Sequence, residues 1–183
     1  MTSDVSFSVF NNVCREGIFQ TLINLNKENK KPIFVCIGSD LVLGDSLGPL
    51  IGTMLKNNNL RTYVYGTLNA PITAKEVEYA SSLKSMHPGS VIVSIDAAVG
   101  SPEDVGLIRI RNKGLKPGLG VNKNLSEIGE MSIIGVVASK SAENYNLFNL
   151  TRLNLVYKMA EVIVGGIADY ITHITCGEYS VNS

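Results

Sequence analysis

Two apolar runs that each lead into an acidic turn constrain the fold of this chain most strongly. The first, at residues 33–37, is continuous, rich in β-branched and aromatic residues, and stopped by Gly38, which is typical of a strand buried on both faces. After it, apolar residues recur at helical spacing, and Pro49 suits the first helical turn. The second run, at residues 91–95, leads into Asp96. The two runs predict buried strands, the first followed directly by a helix.

Periodic segments before and between these runs extend the alternation. An amphipathic spacing of apolar residues predicts an N-terminal helix from about residue 7 to residue 25. Residues 61–65 alternate as a short strand, and a Thr-x-x-Glu capping box at residues 73–76 predicts the start of a helix that runs to about Met86.

Further elements follow the second run. Apolar patterns predict strands at residues 106–111 and 132–138. They also predict one long helix, or two helices joined near Gly165, over residues 143–173. Only about ten residues separate the strand at 106–111 from the preceding one, too few for a usual parallel crossover, which favours an antiparallel pairing there.

The alternation of strands and helices predicts the fold class. A chain of 183 residues with 45% hydrophobic content fits a single domain over residues 1–183 with a substantial core. We expect an α/β domain of three layers, in which helices cover both faces of a mainly parallel sheet.

Asp45 and Asp96 carry the clearest chemical signal. Asp45 lies in the turn after the first strand, and Asp96 follows the second, so parallel neighbouring strands would bring both acids to the same sheet edge. Two close carboxylates do not both ionise easily, so one keeps a proton and the other can activate water. Two other interpretations remain open, namely a site for a hard cation and two unrelated helix caps.

The histidines and the glycine-rich loop are weaker signals of function than the two acids. His87 precedes the strand predicted at residues 91–95 and should therefore lie at the opposite end of the sheet from Asp96. His173 is interpreted as a surface or helix-end residue. The loop at residues 116–123 contains glycines and a lysine that suit either a ligand contact or a surface turn, and it lacks the spacing of a dinucleotide fingerprint or P-loop.

Composition excludes some partners. With 16 basic and 16 acidic residues the net charge is zero, so no electrostatic footprint for nucleic acid or an acidic membrane is expected. The three cysteines are widely spaced and suit reduced thiols of a cytosolic protein, and Cys36 reads as a core residue. The N-terminus lacks the features of a signal peptide, and we expect an intracellular protein.

Three motifs, in order, resemble the germination protease family of spore-forming bacteria and the small YyaC-type sporulation proteins related to it. They are Gly-Ser at residues 38–39 followed by Asp-Ser-Leu-Gly-Pro at 45–49, Ile-Asp-Ala at 95–97, and Gly-Leu-Gly-Val-Asn-Lys at 118–123. The chain is similar, more remotely, to the hydrogenase maturation proteases, which share the fold and add a histidine to the two acids around nickel. Two departures stand out: Ser39 replaces the family's asparagine, and no histidine is expected at the central sheet edge.

The resemblance implies a function and a set of site residues. It implies a cytoplasmic peptidase of the forespore or mother cell, of an atypical aspartic type, with Asp45 and Asp96 as catalytic acids and with no metal or other cofactor. Its partner would be a protein or peptide, such as a small acid-soluble spore protein, and it could form a homo-oligomer. We expect the substrate cleft to be bordered by Asn69, Thr73, Gly118, Gly120, Asn122 and Lys123. The alternatives are a sporulation factor that binds a peptide without cutting it and a metal-dependent hydrolase.

Overall fold

One mixed sheet organises the residues described by the computed structural model, which are 4–73, 76–116, 127–140 and 151–179. Within them, its six strands are β1 (Val5–Ser8), β2 (Pro32–Cys36), β3 (Tyr63–Tyr65), β4 (Val91–Gly100), β5 (Leu107–Arg111) and β6 (Met131–Ser139). The helices are α1 (Cys14–Leu25), α2 (Leu47–Asn57), α3 (Val77–Met86) and α4 (Leu153–Tyr179), with short 3-10 turns at Leu43–Ser46 and Pro102–Asp104.

The strand order is β1-β5-β6-β4-β2-β3, and the four strands from β6 to β3 are parallel to one another. β5 pairs antiparallel with β6, and β1 pairs antiparallel with β5. The predicted antiparallel exception at residues 106–111 is therefore confirmed, because the short connection after β4 turns the chain back along β6.

The N-terminal prediction was wrong in its first part. Residues 5–8 form a strand rather than helix, and α1 begins only at Cys14. Phe7 instead pairs with Ile108 of β5, where it covers an otherwise open sheet edge. Tertiary pairing thus overrides the helical spacing of these apolar residues.

Two other helix boundaries differ from the sequence prediction. α3 starts at Val77, later than the capping box at residues 73–76 predicted. The Thr73 N–H does bond to the Glu76 side chain, but this contact lies in the turn before α3. α4 is one continuous helix, the first of the two predicted alternatives, and it differs from the prediction in running past His173 to Tyr179. The glycine pair in α4 instead permits close packing on α1, since a Cβ on Gly166 would lie 2.8 Å from Ile18.

The helices form two layers around the sheet. The larger core lies between the sheet and the helices α1, α2 and α4, of which α4 contacts both others. Its fully buried members include Phe34, Ile51 and Ile163. A smaller cluster on the opposite face joins Leu83 of α3 to Ile33 and Val35 of β2. Since both faces of β2 are covered, its five residues are all buried, as the continuous apolar run predicts.

No helix in the described ranges is both long enough and apolar enough to cross a membrane.

The start of α2 is pressed directly against the end of β2. A Cβ added to Gly48 would lie 2.0 Å from the carbonyl oxygen of Ile37, so no larger residue fits without moving backbone. Leu47 fills the neighbouring space, and a Cβ on Gly135 of β6 would lie 2.3 Å from its Cδ2 atom. Packing thereby explains Leu47 and Gly48, the Leu-Gly part of the motif at residues 45–49.

Gly48→Ala should lower the free energy of unfolding by about 3 kcal/mol, because the new methyl group meets backbone that cannot move cheaply. Gly165→Ala is the matched control, since it also lies in a helix but would meet only the flexible Arg15 side chain at 3.1 Å. It should stay within about 1 kcal/mol of wild type or gain stability. Urea unfolding measures both, and equal effects of the two substitutions would contradict this packing.

Candidate active site

Asp45 lies in the 3-10 turn that joins β2 to α2. The turn folds back on the strand end, because the Ser39 N–H donates to the backbone carbonyl of Asp45 at 3.2 Å. Gly38, with φ +139°, makes this possible, since a Cβ there would lie 2.1 Å from the same carbonyl oxygen. No side-chain hydrogen bond caps α2 at Ser46, its N-cap residue. The half-buried Asp45 carboxyl is thus held at the sheet edge by backbone packing.

Asp96 lies within β4 rather than after its end, which corrects the sequence prediction. Its β2 neighbour stops first, because the ladder ends at the pair Cys36 and Ile95 and at the Ile37 N–H bond to Ile95 at 2.8 Å. β4 continues to Gly100 alongside β6. Asp96 is therefore the first residue of β4 beyond the β2 ladder, and its Oδ1 accepts a hydrogen bond from the Ala97 N–H at 2.8 Å.

The chain changes direction between these two strands. β2 leads through α2 to β3 on one side, whereas β4 leads through β5 to β6 on the other. Open α/β sheets bind ligands in the crevice at such a switch point, outside the carboxyl ends of the strands. Asp45 comes from the β2 side of this crevice and Asp96 from the β4 side.

Burial dominates the electrostatics of both acids. It raises the pKa of Asp96 to about 8, which the Ala97 N–H opposes and the nearby Asp45 charge reinforces. Burial also raises the pKa of Asp45, and the Ser39 N–H offsets part of that rise. At neutral pH, Asp96 accordingly holds a proton, while the less strongly shifted Asp45 is the better candidate for the ionised partner.

The two acids are not part of a larger ligand cluster among the residues that the structure describes. In those ranges no group of three His, Cys, Asp or Glu side chains is arranged to hold a metal ion. His87 packs on Tyr63, which pairs with Ile33 near the start of β2, and therefore lies at the end of the sheet away from Asp96. His173 lies on α4 in an edge contact with Phe19. Neither histidine joins the acids.

The segment after β3 approaches the same edge of the sheet. Ile72 forms a parallel bridge with Ile37, and its carbonyl accepts a hydrogen bond from the Gly38 N–H at 2.9 Å. Thr73, next in the chain, is thus near the end of β2, with its N–H bonded to Glu76 at 3.0 Å. Asn69 is exposed in the tight turn between Thr67 and Ala70.

The other predicted cleft residues, Gly118, Gly120, Asn122 and Lys123, lie outside the described residues. The described chain on either side of them is joined by an antiparallel bridge between Leu115 and Ile128.

Two contributions to the site were missed at the sequence level. The Ser39 and Ala97 backbone N–H groups influence the two carboxyls, and only tertiary structure shows which N–H groups do so. Gly135 of β6, which pairs with Ala97, leaves room for Leu47 beneath the turn. Its sequence signal was a glycine inside an apolar strand, which often marks a close approach.

Comparison with known sequences agrees with the motifs. The family described as "Protein of unknown function (DUF1256)" matches residues 7–166. The chain belongs to the DUF1256 family. It is 40% identical over 154 residues to the uncharacterised protein YyaC of Bacillus subtilis strain 168, an alignment that covers 81% of this chain and 75% of that protein. The predicted YyaC-type resemblance is therefore confirmed.

Comparison with solved structures confirms the fold class. The chain is similar to the NiFe hydrogenase maturation protease HycI of Thermococcus kodakarensis KOD1, with a TM-score of 0.56 and 17% sequence identity. The similarity covers 83% of this chain and 99% of that one. This DUF1256 chain thus shares the α/β fold of a maturation protease.

Asp96→Asn should stabilise the fold at pH 8, because the amide removes a charge that burial disfavours. The folded-state pKa lies above the ordinary value of 3.8, so wild-type stability should fall as pH rises from about 4 to about 8. The gain of the variant should reach at least about 1 kcal/mol at pH 8, since one pKa unit corresponds to ~1.4 kcal/mol.

Urea unfolding of wild type and Asp96→Asn between pH 4 and pH 9 measures this difference. Asp40→Asn, a change at a nearby exposed acid, is the control and should have little effect. A stability difference for Asp96→Asn that does not grow with pH would contradict the buried, protonated carboxyl.

Proposed function

We propose that this DUF1256 chain is a peptidase in which Asp45 and Asp96 together activate a water molecule. The observation that carries the proposal is the pair of carboxyls at the switch point, with the pKa of Asp96 raised to about 8 and that of Asp45 raised less. Environments that separate the pKa values of two neighbouring acids assign one as acid and the other as base. The maturation-protease fold of HycI supports the same reaction class by analogy.

The reaction would begin with Asp45 ionised and Asp96 protonated. Asp45 removes a proton from water while the water oxygen forms a bond to the peptide carbonyl carbon, and Asp96 gives its proton to the carbonyl oxygen. The product of this step is a tetrahedral diol. When the carbon–nitrogen bond breaks, the nitrogen takes the proton held by Asp45, and one hydroxyl of the diol returns a proton to Asp96. Both acids end in their starting states.

The proposed substrate is a protein or peptide, and small acid-soluble spore proteins are the class that the family resemblance favours. The proposed location follows from the same resemblance, namely the cytoplasm of the forespore or mother cell. Asn69 and Thr73 are proposed to border the cleft, because the segment that carries them runs beside the end of β2. Gly118, Gly120, Asn122 and Lys123 are proposed as further cleft residues from the sequence.

Asp45→Asn and Asp96→Asn should each lower peptide cleavage by at least ~100-fold, because each removes one partner of the proton transfers. The assay is cleavage of a small acid-soluble spore protein, followed by mass spectrometry. Asp40→Asn should leave the rate near wild type, since Asp40 is an exposed acid in the same connection between β2 and α2.

Three results would redirect this proposal. Wild-type cleavage by either aspartate variant would eliminate the dyad. Activity lost with EDTA and restored by a single cation would favour a metal-dependent hydrolase that uses the same acids. Binding of the spore protein without cleavage would favour a peptide-binding sporulation factor.

A further inference from the structure

Part of β4 has a free strand edge next to the aspartate pair. β2 pairs with β4 only as far as Cys36 and Ile95, and the Ile37 N–H then ends the ladder by donating to the carbonyl of Ile95 at 2.8 Å. β4 itself continues to Gly100 and stays paired with β6 over its whole extension. Residues 97–100 therefore have a strand neighbour on the β6 side and none on the β2 side.

The hydrogen bonds of β4 show which backbone groups point to the free side. In a strand, the N–H and C=O of one residue point to the same side, and those of the next residue point to the opposite side. The carbonyl of Ile95 points to β2, whereas the carbonyl of Gly100 points to β6, where it accepts from the Lys140 N–H at 2.9 Å. Counting in steps of two from Ile95, the backbone groups of Ala97 and Val99 point to the free side.

Most of these groups have no hydrogen-bond partner among the described residues. The Ala97 N–H donates to Oδ1 of Asp96. The carbonyl of Ala97 and both backbone groups of Val99 bond to no described residue on that side. The loop after β2 does not pair with them, since the Asp45 N–H donates within the loop, to the carbonyl of Val42. One N–H and two carbonyls are thus available for pairing.

The free edge also lacks the features that usually keep strand edges from pairing. Natural edges are commonly protected by lysine, proline or a bulge. Residues 97–100 are Ala-Ala-Val-Gly, whose small side chains leave the backbone open to approach. The register shift between Ala98 and Val99 adds its extra residue to β6, so the bulge does not interrupt the free edge of β4. Bulges are frequent next to active sites.

The free edge begins at the two carboxyls. Asp96 directly precedes it, and burial together with the Asp45 charge raises the pKa of Asp96, so both acids lie at this end of the edge. A strand rises about 3.3 Å per residue, so the edge extends roughly 10 Å from Ala97 to Gly100. A chain paired with this edge would therefore lie beside the aspartate pair at one end.

We infer that the substrate peptide binds in an extended conformation as an added strand along residues 97–99 of β4, an assignment that rests on the peptidase function proposed for Asp45 and Asp96. The Val99 N–H donates to a carbonyl of the peptide, and the carbonyl of Ala97 accepts from a peptide N–H. Main-chain pairing of this kind tolerates many sequences. It selects unfolded segments, because the backbone groups of a helix are already paired.

Amide hydrogen exchange followed by NMR tests the pairing. The probe is the small acid-soluble spore protein of the cleavage assay, added to the full-length Asp45→Asn variant so that the probe stays intact. Without the probe, the Val99 N–H should exchange at least ~10-fold faster than those of Ala98 and Gly100, which point to β6. Bound probe should slow exchange at Val99 at least ~10-fold and leave the other two nearly unchanged.

Two substitutions at residue 99 assign the effect to the backbone. Val99→Pro removes the N–H that points away from β6, so the β4–β6 ladder keeps its hydrogen bonds. It should weaken binding of the spore protein by roughly 3- to 10-fold, the effect of one lost hydrogen bond. Val99→Ala is the matched control, since it trims the side chain but keeps the N–H, and it should bind nearly as wild type does. If Val99→Pro does not fold, the exchange measurement tests the pairing alone.

Four results would overturn the pairing. The first two are no binding of the spore protein at ~1 mM and binding that leaves exchange at Val99 unchanged. The third is equal affinity of wild type and a folded Val99→Pro variant. The fourth is slow exchange at Val99 without the probe that becomes slower with protein concentration, which would assign the edge to a second copy of the chain.

The peptidase proposal can fail separately. Cleavage by wild type without slower exchange at Val99 would keep the peptidase and reject the added strand. Slower exchange at Val99 with no cleavage by wild type would keep the added strand and reject the peptidase.

Discussion

The contact between the end of β2 and the start of α2 is the constraint on which the candidate site depends. Two glycines, Gly38 and Gly48, let backbone meet backbone there, with added Cβ atoms only 2.1 and 2.0 Å from carbonyl oxygens. This packing fixes the turn that carries Asp45 without using the Asp45 side chain. The carboxyl is consequently free to act in the crevice where the sheet changes direction.

The second acid is positioned by a difference in strand length. β4 extends past the end of β2, so Asp96 keeps its β6 neighbour on one side and loses its β2 neighbour on the other. Pairing with β6 holds the Asp96 backbone, the Ala97 N–H donates to the carboxyl, and burial favours the protonated form of that carboxyl. The sheet edge thus keeps a carboxyl whose charged form is disfavoured by burial. Ionisable groups that lower folding stability in this way are common in active sites.

The sequence predicted the parts of this structure that depend on local pattern. Continuous apolar runs identified β2, β4 and β6, and the two acids after them identified the crevice, because parallel strands bring their carboxyl ends to one edge. The helical spacing at residues 7–13 misled, since Phe7 belongs to a strand that pairs along the edge of β5, a partner about 100 residues away in the sequence. The extension of β4 beyond Asp96 and the joining of α4 through Gly165 also depend on distant partners, namely β6 and α1. A cavity lined by Phe10, by the end of β6 and by the start of α4 could not be predicted either, because its walls come from distant parts of the chain.

The protonation of Asp96 beside Asp45 is the central claim, and a carbon-13 NMR titration of the aspartate carboxyls tests it most directly. In the wild-type protein Asp96 should titrate near pH 8, and in Asp45→Asn its pKa should fall, because the neighbouring negative charge is gone, while remaining above the ordinary value owing to burial. An Asp96 carboxyl that titrates near pH 4 in both proteins would contradict the coupled pair.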